Sequence, residues 1–459
     1  MSIKFKLSVV NFLEFFVWGA WLITFANYWF GTKQWDGSQF GLIFSTMGIA
    51  SLFMPTLTGI IADRWINAEK LYGFLHILYG VTLIYLTRVD DPTTFFWVML
   101  IAMCCYMPTI ALNNSISYNI LKNNGFDVIK DFPPIRVYGT IGFIVAMWLT
   151  NLTGNKATEY QFYIGGFFAI ALGFIAFALP ACKPQRNISP DAKWTEQLGL
   201  NAFKLFKNYK IALFLIFSMF LGAALQLTNM YGDLFIDEFK YFPMYLDSIV
   251  VQRSTLIMSI SQVSETVFIL AIPFFLRRFG IKTVMLFSMF AWVLRFGLFA
   301  TGDPGTGLWM IIASCIIYGF AFDFFNISGS LFIETNTAPS VRSSAQGLFM
   351  MMTNGFGAIF GSYTSGILID KFFTQSFTNI EKLATFLKTE VTNEHLLHLL
   401  AERNIQFTSD GTLSRIVTMK QWPEIWMTFA AYSLVVGILF AIFFKHKHDP
   451  NAIPEELGH

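Results

Sequence analysis

The chain has 459 residues, of which 55% are hydrophobic and 13% charged, with a formal net charge of +2. A soluble domain carries roughly 25% charged residues, so a soluble enzyme is excluded and a polytopic membrane protein is indicated. The small net charge is spread over loops, and no basic run marks a nucleic-acid partner.

The first stretch, "MSIKFKLSVVNFLEFFVWGAWLITFANYWF", is charged and then apolar, as a signal peptide is. Its apolar part is long enough to span and carries no small-residue cleavage site, so it is expected to remain as the first membrane helix. A span needs about 20 mostly apolar residues, and about twelve such stretches follow in order. Six lie near 8–30, 40–62, 70–88, 94–121, 135–153 and 161–181. Six more lie near 209–232, 249–276, 281–301, 308–333, 343–369 and 425–445. The fold expected is therefore all-α and integral to the membrane. Cys104, Cys105, Cys182 and Cys315 form no spaced metal motif and are expected to be reduced. No cofactor motif is present.

Loop charges set the expected orientation. Lys4, Lys6, Lys183, Arg186, Lys193, Lys204, Lys207, Lys210, Arg277, Arg278, Lys282, Lys445 and Lys447 fall on one side. Asp90, Asp91, Asp233, Asp237, Glu238 and Asp303 fall on the other. The positive-inside rule then places both termini in the cytoplasm. The polar segment 182–208 divides the chain into a bundle over 1–181 and another over 209–459. "GIIADRW" and "PFFLRRFG" end equivalent helices of the two halves, and repeated halves are how many secondary transporters are built. Residues 370–422 interrupt the pattern. Thr378 and Glu381 form a capping box there, and the spacing predicts one or two short amphipathic helices on the outer surface, in a loop with no required transport role.

Polar residues inside membrane helices usually face a bundle interior or a water-filled cavity. Arg136, Thr140 and Phe143 share one helix face, though Arg136 also suits a side chain snorkelling to the helix end. Gln226 and Asn229 are three apart, and Gln262 and Glu265 repeat that spacing on the next helix. Such amides often join helices, but two adjacent pairs, one with a carboxylate, suggest a lined cavity. Tyr318, Phe322, Asp323 and Asn326 lie together in "YGFAFDFFN". Glu14, Trp18, Tyr106, Asn113, Asn114 and Asn354 are further intramembrane polar or aromatic positions. Arg295 either pairs with a carboxylate or serves the cavity, and Asp63 with Arg64 is expected to be a gating or structural charge cluster. Amides, carboxylates and aromatic faces together suit a neutral molecule with a sugar-like and a planar part.

"FLEFFVWGAWL", "DFPPIRVYGTIGFIVAMW", "NAFKLFKN", "FSMFLGAALQLTNMYG", "IMSISQVSETVF", "YGFAFDFFNISGS" and "SSAQGLFMMMTNGFG" occur in order. Together they resemble the bacterial nucleoside:proton symporters of the major facilitator superfamily over nearly the whole chain. The resemblance implies twelve helices in two six-helix bundles and proton-driven nucleoside uptake, uridine included, across the inner membrane. It implies a monomer whose partners are nucleoside, protons and lipid bilayer. It puts the binding positions on Arg136, Thr140, Phe143, Gln226, Asn229, Gln262, Glu265, Tyr318, Phe322 and Asp323. Asp323 is expected to carry the proton, with Glu265 mainly a substrate ligand. Two departures stand out. The resemblance implies an amide at Glu14, so its carboxylate is a second candidate carrier, and the 370–422 loop is long. The alternative is a sugar or oligosaccharide:proton symporter. A membrane enzyme is disfavoured, because no nucleophile stands beside a base.

Overall fold

A computed structural model describes residues 2–184, 200–338 and 341–446. Part of the expected linker, with Arg186 and Lys193, lies outside the described residues, as does Lys447.

In the first half, α1 (Ile3–Gly19), α2 (Gly37–Arg64), α3 (Ala68–Leu86), α4 (Pro92–Asn123), α5 (Val128–Leu152) and α6 (Tyr160–Phe177) follow in order. The second half runs through α7 (Tyr209–Glu238), α8 (Ser254–Ile269), α9 (Ile272–Thr301), α10 (Leu308–Asn336), α11 (Arg342–Met350) and α12 (Ala358–Phe372). After α13 (Ile380–Phe386) and α14 (Glu394–Glu402) it closes with α15 (Trp422–Phe443). Local chemistry starts these helices. Asp91 accepts the Thr94 amide at 2.7 Å ahead of Pro92 at the start of α4. Asn208 accepts the amides of Lys210 and Ile211 to open α7.

Among the described residues, eight helices are long and apolar enough to cross a membrane. The other four expected stretches are helical too: α3 is unbroken but less apolar, carrying Glu69, Lys70 and His76, and the first, eighth and eleventh are interrupted or shorter. The first breaks after Gly19 and resumes as a π-helical turn, Asn27–Lys33. The eleventh carries a π-helical turn, Met351–Gly357, which includes Asn354. Gly280 has φ 76° inside α9, a left-handed conformation that suits glycine, and it kinks the helix between the eighth and ninth expected spans.

Helix pairs α3–α6, α1–α5 and α2–α4 form the first half, and α9–α10, α9–α15 and α8–α10 the second. The halves meet through α2 with α12 and through α5 with α8.

The 370–422 segment corrects its expected form. It is a small α/β unit, in which β1 (Thr374–Asn379) pairs antiparallel with β2 (Thr412–Lys420), with Phe377 opposite Val417. Both expected helices, α13 and α14, are present between the strands. Asn379, not Thr378, caps α13, accepting the Glu381 amide at 2.9 Å. Phe377, Ile380, Leu383, Leu396, Leu400 and Val417 build a separate hydrophobic core against Tyr241 and Phe242.

Candidate functional site

The central groups come from α5, α7, α8 and α10. Helices α8 and α10 touch backbone to side: a Cβ on Gly319 would lie 2.6 Å from the Glu265 amide nitrogen. Ser264 locks this crossing, its Oγ lying 3.2 Å from the Cys315 carbonyl and accepting the Gly319 amide at 3.1 Å. The crossing brings Glu265 toward Asp323, one turn beyond Gly319, and the two act on each other electrostatically. Asp323 is 4% exposed, and among the described residues its Oδ2 has no hydrogen-bond partner. Tyr318 and Phe322 lie nearly parallel, ring centroids 6.1 Å apart and planes 10° apart.

Arg136 faces this group from α5. Its guanidinium lies 4.0 Å from the Phe15 ring centroid. It is half-buried and stacked, rather than extended to the helix end. Phe143 is buried and meets Trp18 edge-on, centroids 6.1 Å apart. Thr140, Asn229 and Gln262 are half-buried; Gln226 is 7% exposed with Oε1 unpartnered. Unpartnered buried polar atoms are costly unless a ligand or water meets them. The arrangement therefore offers two carboxylates, one guanidinium, amide edges and a parallel aromatic pair.

Glu14 has a different setting. Its carboxylate is fully buried; Tyr72 donates to Oε2 at 2.5 Å, His76 Nε2 lies 2.8 Å from the same oxygen, and Thr109 lies 2.8 Å from Oε1. Tyr106 donates to the Glu14 carbonyl at 2.9 Å. The carboxylate ties α1 to α3 and α4, and its oxygens are already engaged. Tyr72 and His76 carry only a faint sequence signal, the four-residue spacing of Tyr72 and His76 inside an apolar helix.

Arg295 has no carboxylate within 4 Å among the described residues, so the pairing, one of its two expected roles, is not seen there. It is fully buried, donates to the Ser314 carbonyl at 2.6 Å, and lies 4.7 Å from the Tyr318 ring centroid. Asp63 is exposed and Arg64 half-buried at the end of α2, and neither forms an ion pair within 4 Å among the described residues.

The two halves are bolted together at the opposite end from Asp63. Asn27 donates to Asp233 at 2.6 Å, Lys156 pairs with Asp237, and Lys156 also reaches Ser254 at 3.0 Å. Trp148 donates to Ser259 at 2.9 Å between α5 and α8. Glu238 accepts from Trp422 at 2.7 Å and from Lys420 at 3.3 Å, and Lys420 sits 3.8 Å from the Phe30 ring. The α/β unit thus touches both halves of the bolted end. In sequence, Asp233, Asp237 and Glu238 show only as loop charges.

The family model for nucleoside H+ symporters matches residues 1–449. The nucleoside permease NupG of Escherichia coli (strain K12) is 44% identical over 452 residues, 98% of this chain and 97% of that protein. The xanthosine permease of the same strain is 43% identical over 454 residues, 99% of this chain and 98% of that protein. The crystal structure of the nucleoside transporter NupG superimposes with a TM-score of 0.82 at 43% identity, covering 97% of this chain and 100% of that one.

Proposed function

The chain belongs to the nucleoside H+ symporter family, and from that premise we propose that it takes up nucleosides, uridine among them, together with protons across the bacterial inner membrane. It is a multi-pass membrane transporter and not an enzyme. In this reading twelve spans form two six-helix bundles, over 1–181 and 209–459, joined by the 182–208 linker. Both termini are cytoplasmic and the protein acts as a monomer. The loop charges support the orientation.

The observation that carries the reading is the α8–α10 crossing of Gly319 on Glu265, with Asp323 one turn on beside the parallel Tyr318–Phe322 pair and Arg136 on α5, which packs against α8. With both carboxyls ionised, these three groups bear one net negative charge. A single proton brings them to neutrality, which lowers the cost of enclosing them in a low-dielectric core. Asp323 receives that proton, since no donor among the described residues meets its Oδ2. Glu265 binds a ribose hydroxyl and balances Arg136. Tyr318, Phe322 and Phe143 face the base, and Gln226, Asn229, Gln262 and Thr140 supply donors and acceptors to base edge and ribose. Protonation and nucleoside binding together permit the halves to rock, breaking the Asn27–Asp233 and Lys156–Asp237 contacts at the outer end. The bolted conformation, with that end closed, is the inward-facing one. Glu14 is not the carrier in this scheme, because three neighbours already occupy its carboxylate.

Uptake of radiolabelled uridine into proteoliposomes, with and without an inward proton gradient, tests this. Wild type should accumulate uridine only with the gradient, and free sugars should not compete. Asp323→Asn should lose accumulation while keeping exchange. No uridine uptake, with gradient-driven uptake of a labelled sugar instead, would favour a sugar symporter.

A further inference from the structure

A second cavity, of about 590 Å³, lies at the end of the second half where α15 finishes, lined by Lys210, Lys282, Lys445 and His446. Three segments far apart in sequence bring its lysines together. Lys210 is in the first turn of α7, Lys282 follows the Gly280 break in α9, and Lys445 lies just past α15. Two of the lysines are held in place. Lys210 Nζ donates to His446 Nδ1 at 2.7 Å and to Asn336 Oδ1 at 3.3 Å, and sits 5.3 Å from the Phe332 ring. Lys282 donates to the Ala441 carbonyl at 2.9 Å. The His446 ring rests near those of Phe332 and Phe444, at 5.6 and 6.3 Å. Among the described residues no carboxylate lies within 4 Å of any of the three lysines.

Ammonium groups gathered on one cavity repel one another, and an anion between them reverses the sign of that energy. A general excess of lysine on this face accounts for their presence but not for their convergence on one backed cavity. The position selects the anion. Helix α7 begins and α15 ends here, where spans of the proposed orientation meet the headgroups. Ile442 and Phe443, in the last turn of α15 and two to three positions before Lys445, are 58% and 49% exposed, an apolar surface for acyl chains. We propose that this cavity is a phosphate site that holds the headgroup of an anionic phospholipid. Lysine suits phosphate as a mobile point charge, and basic pockets between helices are a known form of lipid recognition.

The test is direct titration of full-length protein, in neutral detergent, with fluorescent phosphatidylglycerol. Phosphatidylcholine and inorganic phosphate are the comparison arms. The triple variant Lys210→Gln, Lys282→Gln, Lys445→Gln is expected to bind phosphatidylglycerol about a hundredfold more weakly. Lys70→Gln, which neutralises an exposed lysine at the start of α3, should bind as wild type does. Lys445→Gln alone keeps the test open if the triple variant does not fold, with an expected loss of about fivefold. Unchanged binding in Lys445→Gln and the triple variant overturns the site. Displacement of the lipid by inorganic phosphate at equal affinity overturns the lipid assignment.

Discussion

Replacing Glu14 with alanine removes the acceptor that Tyr72 and His76 share and the group Thr109 faces. Thr109 keeps an alternative, the Tyr106 carbonyl at 2.6 Å. Tyr72 and His76 are fully buried, so their donors are left without partners. Each orphaned buried donor costs about 1–3 kcal/mol, which gives about 2–6 kcal/mol for the pair. Glutamine keeps the shape and one carbonyl oxygen, so Glu14→Gln should cost only about 1 kcal/mol. Thermal melting of purified protein in one detergent checks this ordering: wild type highest, Glu14→Gln slightly lower, Glu14→Ala lowest by several degrees. Proton-driven uridine uptake should survive in Glu14→Gln. Melting of Glu14→Ala at the wild-type temperature would refute the tether. Loss of proton coupling in Glu14→Gln would return Glu14 to the role of carrier.

Arg295→Met removes a buried charge without a carboxylate, so the melting temperature should hold or rise. The support behind Tyr318 is lost, and KM for uridine should rise about tenfold; an unchanged KM would sink this account of Arg295. Lys156→Met should loosen the bolted end and raise impermeant maleimide labelling of a cysteine at Asn229 about tenfold; unchanged labelling would mean that this pair does not hold the end shut. Leu383→Asp puts a charge into the core of the α/β unit. Protease should then cut within 374–420 while the membrane helices melt as before, and joint melting would show that the unit is part of the main fold.

The membrane helices were legible because their apolar stretches are long, and the Gly280 kink falls between two expected spans. Arg136, Glu265 and Asp323 stood out because a charge in an apolar helix is conspicuous. The strands flanking α13 and α14 were hidden for a physical reason. β2 buries Leu413, Val417 and Met419 but exposes Ile416, so its alternation is imperfect. Thr378 and Asn379 are adjacent cap formers, and the helix start at Ile380, with the Asn379 side chain accepting the Glu381 and Lys382 amides, decides between them. The partners of Glu14, Asp233 and Asp237 lie 58 or more positions away in the contacts Tyr72–Glu14, Asn27–Asp233 and Lys156–Asp237, beyond any local pattern.

The central claim is that Asp323 carries a proton inward with nucleoside. The most direct measurement is the internal pH of proteoliposomes, read with an enclosed dye, when uridine is added outside. Wild type should acidify the lumen as uridine enters, and Asp323→Asn should not. Uridine entry without acidification in wild type, or equal acidification in Asp323→Asn, would contradict the account.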